Sequence, residues 1–120
     1  VTVVEARAEE RAKAPESAGR YRVVTTRAMA SPAVSMELAA GFLSLGGAAA
    51  LWLGPEEDAL PDKEREIPEL GLGAPSIWHY RLPHGMGKRT LVVYRRISAI
   101  EPGYPRRIAA IKKRPLGFRF

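Results

Sequence analysis

The sequence contains no cysteine. That excludes a disulfide framework, a thiolate nucleophile and a Cys-ligated zinc site, and it fits a reducing cytoplasm. Histidine is nearly absent. Only His79 and His84 occur, and two imidazoles without a cysteine do not make a zinc site. Structural or solvent roles are the expectation for both, and no metal is expected. The longest apolar run, Ala48 to Leu53, lies between Gly46-Gly47 and Gly54-Pro55. It is far short of the roughly 20 residues that a membrane span needs. No basic segment followed by an apolar run marks a signal peptide. A Gly-x-Ser-x-Gly elbow, a Walker loop and a Gly-x-Gly-x-x-Gly turn are all missing, so an esterase triad and a self-contained nucleotide loop lack support. There is no internal repeat and no low-complexity segment. An initiator Met is also lacking. The chain opens Val1-Thr2-Val3-Val4, directly in a strand-like run, and the expectation is the rear part of a longer polypeptide.

What is present is the composition of an ordinary globular chain, 46% hydrophobic and 27% charged over 120 residues. That length predicts one domain, residues 1–120, read as a partial one. The net charge of +6 is unevenly placed: residues 1–85 sum to −3, and residues 86–120 sum to +9 with Glu101 as their only acid. A single-sign block of this kind is the footprint of a surface that meets phosphates. Tyr94, Tyr104, Phe118 and Phe120 are interleaved with it. Such aromatics stack on unpaired bases, and they serve equally well to pack a C-terminal segment onto the body.

Hydrophobic patterning predicts the elements. Val1 to Ala6 reads as a buried strand. Residues 7–14 are helix formers ended by Pro15. Tyr21 to Thr26 reads as a second strand. Ser31 is a helix N-cap with Pro32 in the first helical position. Val34, Leu38, Phe42 and Leu45 then form one apolar face, and Gly46-Gly47 stops the helix. Ala48 to Leu53 is a third strand of the kind buried in parallel sheets. Residues 56–70 are acidic and broken by Pro61 and Pro68, which leaves room for short helical pieces only. Ser76 to Leu82 and Arg89 to Ile97 read as strands joined in an antiparallel hairpin. Residues 101–120 read as an irregular basic tail. The alternation of β and α units predicts an α/β fold, a mainly parallel sheet closed by that antiparallel hairpin.

Several short stretches fit together in order. They are Arg7-Ala8-Glu9-Glu10 after the first strand, Arg27-Ala28-Met29-Ala30 after the second and Gly54-Pro55-Glu56-Glu57 after the third. The hairpin carries Arg89-Thr90-Leu91-Val92-Val93, and the tail carries Tyr104-Pro105-Arg106-Arg107 and Lys113-x-Pro115-Leu116. In that order and spacing the whole chain resembles the C-terminal half of the RsmG (GidB) family. These are S-adenosylmethionine-dependent methyltransferases that modify N7 of a guanine in bacterial 16S ribosomal RNA. Two positions depart from the family pattern: Leu53 stands where a Lys is usual, and Ile108-Ala109-Ala110-Ile111 replaces a Pro-Gly-x-Pro stretch.

The resemblance implies the C-terminal part of a Rossmann-like class I methyltransferase sheet and S-adenosyl-L-methionine as cofactor. It implies that Arg7, Ala8 and Glu9 meet the cofactor's adenine. Arg27 then lies beside both the cofactor and the target base, and Arg89 lies near cofactor or RNA. The basic residues Arg106, Arg107, Lys112, Lys113 and Arg114 are expected to face 16S ribosomal RNA or the small ribosomal subunit, in the cytoplasm. The family's Gly-rich loop has no counterpart in these 120 residues, so the chain alone is expected to be inactive. Two other readings of the residues remain beside this one. One is a non-catalytic RNA-binding or ribosome-associated module. The other is a divergent α/β domain with a protein partner.

Overall fold

The computed structural model describes residues 1–27, 31–54 and 60–118. The turn residues Ala28-Met29-Ala30, the segment Pro55-Glu56-Glu57-Asp58-Ala59 and the final Arg119-Phe120 lie outside the described residues. The elements in chain order are α1 (Ala8–Arg11), β1 (Tyr21–Arg27), α2 (Pro32–Phe42), β2 (Leu43–Leu53), a 3-10 turn (Pro68–Leu70), β3 (Ser76–Arg81), β4 (Lys88–Arg95) and α3 (Ile108–Lys113).

One four-stranded sheet carries the fold, in the order β1-β2-β4-β3. β1 and β2 pair in parallel through α2, whereas β4 runs antiparallel to both β2 and β3. The sheet is therefore a mix of one parallel and two antiparallel pairings, with the hairpin where the patterning placed it. β1, β2 and β3 run in the same direction, so their carboxyl ends share one edge of the sheet.

α2 begins as the sequence indicates. Ser31 Oγ accepts from the Val34 N–H at 3.4 Å, and Pro32 sits at the helix start. The expected single apolar face is a different matter. Every residue from Pro32 to Gly41 is buried, because α2 packs on the sheet with one side and receives α3 and residues 104–106 on the other. A helix enclosed from both sides is apolar nearly all round. Leu45 does not belong to it: it stands 71% exposed in β2.

Gly46-Gly47 does not stop the helix either. The chain passes from Phe42 straight into β2, and the glycines lie within that strand. They form a bulge. Tyr21 pairs with Leu43, but Val23 pairs with Ala48. A Cβ on Gly47 would lie 2.9–3.0 Å from the Ser44, Arg22 and Tyr21 carbonyl oxygens, so only glycine fits that close backbone approach.

Two more expectations differ at the chain's ends. Val1 to Ala6 forms no strand, and Val1, Val3 and Val4 are exposed. β-branched residues favour extended backbone, but a strand needs a hydrogen-bonding neighbour, and no described strand lies alongside. The helix expected over residues 7–14 is one turn, Ala8–Arg11, in keeping with the unfavourable nucleation of short helices. Residues 101–120, expected to be irregular, contain α3. Ile108-Ala109-Ala110-Ile111-Lys112-Lys113 has neither Pro nor Gly, and Ile111 is fully buried.

The core lies between α2, α3 and one face of the sheet, with Val34, Met36, Leu38, Leu51, Leu70, Leu72, Val92 and Tyr94 at its centre. The opposite sheet face carries Val23, Trp52 and Trp78, which are exposed. No described helix is long and apolar enough to cross a membrane.

Candidate functional site

Ligands of open α/β sheets gather outside the carboxyl ends of the strands. Here that edge is built by the last residues of β1, β2 and β3 and the first residues of β4. Arg27 ends β1 and is exposed. It pairs in register with Trp52 of β2, which in turn pairs with Leu91 of β4. Because side chains alternate along a strand, Arg27, Trp52 and Leu91 share one sheet face with Arg89, two positions before Leu91. Arg27 and Arg89 thus stand on the same face, two strands apart, or about 10 Å across at the usual ~4.8 Å strand spacing. Between them the Trp52 ring meets Tyr80 edge-on, 6.4 Å between centroids and 89° between planes.

A cleft of about 490 Å³ opens at this edge, lined by Gly54, Leu60, His79, Tyr80, Arg81, Lys88, Arg89 and Thr90. Arg89 was expected near the site. Arg81, Lys88, His79 and Thr90 were not singled out; alternation sets them on the other face from Arg89, and they meet it only because the hairpin register brings the end of β3 and the start of β4 to this edge. His79 Nδ1 and Thr90 Oγ1 share a 3.0 Å hydrogen bond, and Arg89 Nη1 donates to the Lys88 carbonyl at 2.8 Å. Arg27 does not line this cleft. Leu53, at the position of a family Lys, is buried at 7% exposure and faces the core instead.

The Arg7-Ala8-Glu9 turn lies elsewhere. Arg7 Nη1 contacts Glu9 Oε1 at 3.1 Å, with the arginine side chain 76% exposed. The backbone N–H at Glu9 and the Arg7 guanidinium hold the Glu9 carboxyl below the usual carboxylate range. Ala8 lines a second cavity, about 370 Å³ and mostly apolar, together with Val4, Ala6, Tyr21, Val23 and Phe42. That cavity sits against the first half of β1, and Arg27 is not among its lining residues.

The tail is not a solvated arm. The Glu37 carboxylate in the middle of α2 is fully buried, and Arg106 meets it in a fork. Arg106 Nη2 donates to Oε1 at 2.7 Å, Nε to Oε2 at 3.1 Å and the backbone N–H to Oε2 at 2.6 Å. Hydrogen bonding to Glu37 raises the Arg106 pKa further above its already high value. The guanidinium also lies 5.4 Å from the centre of the Tyr104 ring, within cation–π range. The Tyr104-Pro105 bond is cis. Pro105 reaches α2 at Gly41, where a Cβ would come within 2.9 Å of both Pro105 Cγ and Ala12 Cβ.

The tail thus runs back along α2, from Gly41 past Glu37. It then pairs at Phe118 with Pro61, seven residues after Gly54 at the end of β2. This direction carries the last turn of α3 toward the carboxyl edge of the sheet. Arg107, Lys112, Lys113 and Arg114 are all exposed along it. Of the five tail cations expected to face RNA, only Arg106 is committed to an internal carboxylate. Among the described residues no group of His, Asp or Glu could hold a metal ion.

Comparison with known proteins adds the following. No family model matches the chain. A Ribosomal RNA small subunit methyltransferase G from Carboxydothermus hydrogenoformans is 37% identical over 117 residues, which are 97% of this chain and 50% of that protein. Proteins of the same name from Pelotomaculum thermopropionicum and Roseiflexus castenholzii are 37% and 33% identical, over 92% and 97% of this chain. The chain spans about half the length of the curated relatives it matches. Over nearly its whole length, it resembles the C-terminal half of the RsmG family of ribosomal RNA small subunit methyltransferases.

Proposed function

We propose that this chain is the rear half of a catalytic unit that transfers a methyl group from S-adenosyl-L-methionine to N7 of a guanine in 16S ribosomal RNA. The single observation carrying the proposal is the similarity of 97% of the chain to half of a relative named a ribosomal RNA small subunit methyltransferase. The position of Arg27 at the carboxyl edge of the sheet supports it.

The chain's residues fit one end of the cofactor. The apolar cavity lined by Ala8 has room for a purine ring, and Arg7 and Glu9, paired with each other, lie on the same turn. The methionine end calls for a Gly-rich loop, which these 120 residues do not contain. When bound, the cofactor supplies an electrophilic methyl group on a sulfonium. Guanine N7 carries a lone pair and no proton and is a hydrogen-bond acceptor. No general base is required for that attack. The protein's task is alignment, which contributes up to about 7–11 kcal/mol in favourable cases. Arg27 and Arg89 flank the edge where the base is held. An unpaired or flipped guanine is the substrate form that such an edge can reach. Arg107, Lys112, Lys113 and Arg114 face ribosomal RNA in the small subunit, and Arg106 fixes their direction through Glu37.

A chimera tests this reading. This chain replaces the matching half of the Carboxydothermus hydrogenoformans relative, and methyl transfer to under-methylated small subunits is measured. The expected result is N7 methylation of one guanine, lost on Arg27→Ala. A folded chimera that binds ribosomal RNA yet transfers no methyl group favours the non-catalytic RNA-binding module instead. The chain alone is expected to be inactive, and micromolar cofactor binding to it in calorimetry overturns that expectation.

A further inference from the structure

The hairpin holds a cluster of cations that no ion pair given among the described residues compensates. Arg81 and Lys88 are direct cross-strand partners in the β3–β4 register. Like charges opposite each other in an antiparallel pair are destabilising. Arg89 follows immediately and pairs across with Tyr80. All three cations line the same cleft of about 490 Å³. Among the described residues, ion pairs join Arg7 with Glu9, Arg11 with Glu16 and Arg106 with Glu37, and none of these three neutralises the hairpin. Arg89 spends one N–H on the Lys88 carbonyl and keeps the rest of its five donors. The cleft wall adds neutral polar groups, the bonded His79 ring and Thr90 hydroxyl. The cleft falls within the roughly 300–1,000 Å³ of ligand sites, and the half-buried Tyr80 that lines it packs edge-on against exposed Trp52.

We propose that this cleft is a phosphodiester site, in which Arg81, Lys88 and Arg89 hold the backbone of a single-stranded RNA segment beside the carboxyl edge of the sheet. An anion between Arg81 and Lys88 turns a repulsive cross-strand pair into a bridged one. Arginine supplies the planar fork that suits phosphate oxygens, and lysine supplies a point charge. Tyr80 offers a ring face to the neighbouring base. The site rests on the reading of RNA as this chain's partner but not on methyl transfer. It is also separate from the tail cations on α3.

The test is binding of a fluorescent 12-nucleotide single-stranded RNA to the 120-residue chain across a salt series, read by anisotropy. Arg81→Glu with Lys88→Glu is expected to lower affinity at least tenfold at about 50 mM salt. It is also expected to flatten the slope of log affinity against log salt by about 1.4, since each lost contact to a single strand removes about 0.7. Both residues are exposed, and an unchanged circular dichroism spectrum verifies the fold. In amide NMR the RNA is expected to shift Arg81, Lys88 and Thr90, and inorganic phosphate to shift the same signals far more weakly. Unchanged affinity in the double variant overturns the proposal, as does RNA that shifts only α3 signals. Inorganic phosphate binding as tightly as RNA overturns the assignment to a nucleic-acid strand. Absence of methyl transfer in the chimera, with hairpin-dependent RNA binding intact, removes the catalytic reading alone.

Discussion

Removing the Arg106 side chain should be the most damaging single change to the tail. The Glu37 carboxylate is fully buried, and Arg106 supplies the one positive charge that faces it among the described residues. In Arg106→Ala the backbone N–H at position 106 still reaches Glu37 Oε2, but all the guanidinium bonds are gone. Stranding one member of a buried ion pair costs about 3–5 kcal/mol. Domains of this size are stable by about 5–15 kcal/mol in total. With a urea m-value of about 1.5 kcal/mol/M, the midpoint should fall by about 2–3 M. Urea titration followed by far-UV circular dichroism measures this, with the m-value as a check on two-state behaviour. The partner experiment is Glu37→Leu with Arg106→Met. It removes both charges and refills the space with apolar atoms, and it should regain most of the loss, because the penalty arises from the orphaned carboxylate. The reasoning is refuted if Arg106→Ala costs under about 1 kcal/mol. It is equally refuted if the double variant is as unstable as the single one. The loss would then come from the arginine stem packed near Tyr104 rather than from the charge.

Other consequences are testable in the same way. Tyr94 is buried with its hydroxyl unpaired among the described residues, and burial raises its pKa well above its usual 10.0. The unfolded chain therefore ionises first, so the contribution of neutral Tyr94 is intact below about pH 10 and stability falls as pH rises beyond it. Tyr94→Phe should be neutral to stabilising at pH 7, since an unpaired buried hydroxyl costs about 1–3 kcal/mol. It should also lessen the alkaline decline in a thermal melt. Gly41→Ala forces a methyl group against Ala12 and Pro105 and should cost about 1–3 kcal/mol, read as a lower midpoint. Arg107→Glu with Lys112→Glu should weaken RNA binding and its salt dependence without lowering the midpoint, since both residues are exposed. Arg106→Glu is the wrong probe for RNA contact, because it sets a second carboxylate against buried Glu37.

Much of the frame was legible in residue order. The N-cap at Ser31, the strand at Tyr21 and the hairpin are signalled by local chemistry: a side-chain acceptor, β-branched runs, a Gly-rich turn. Other features depend on distant partners. Val1 to Ala6 has a strand's composition but no described neighbour to pair with. Gly46-Gly47 looks like a helix stop, yet three carbonyl oxygens from β1 and β2 crowd Gly47 and make the pair a bulge. α3 was hidden because its helix formers sit among Pro102, Pro105 and Pro115. The role of Glu37 was hidden too, since nothing along α2 announces that its partner lies 69 residues away.

Residue order alone carries the lack of thiol chemistry in these 120 residues, the concentration of positive charge after residue 85, the α/β alternation and the family resemblance. These are properties of composition, periodicity and order, which need no third dimension. Tertiary structure alone decided which of the cations are available. Arg106 is drawn inward because a buried carboxylate must be paired. Arg81, Lys88 and Arg89 are left lining a common cleft because the antiparallel register brings the end of β3 and the start of β4 to one edge of the sheet. Charge is written in the chain, but whether it is neutralised depends on what folding sets beside it.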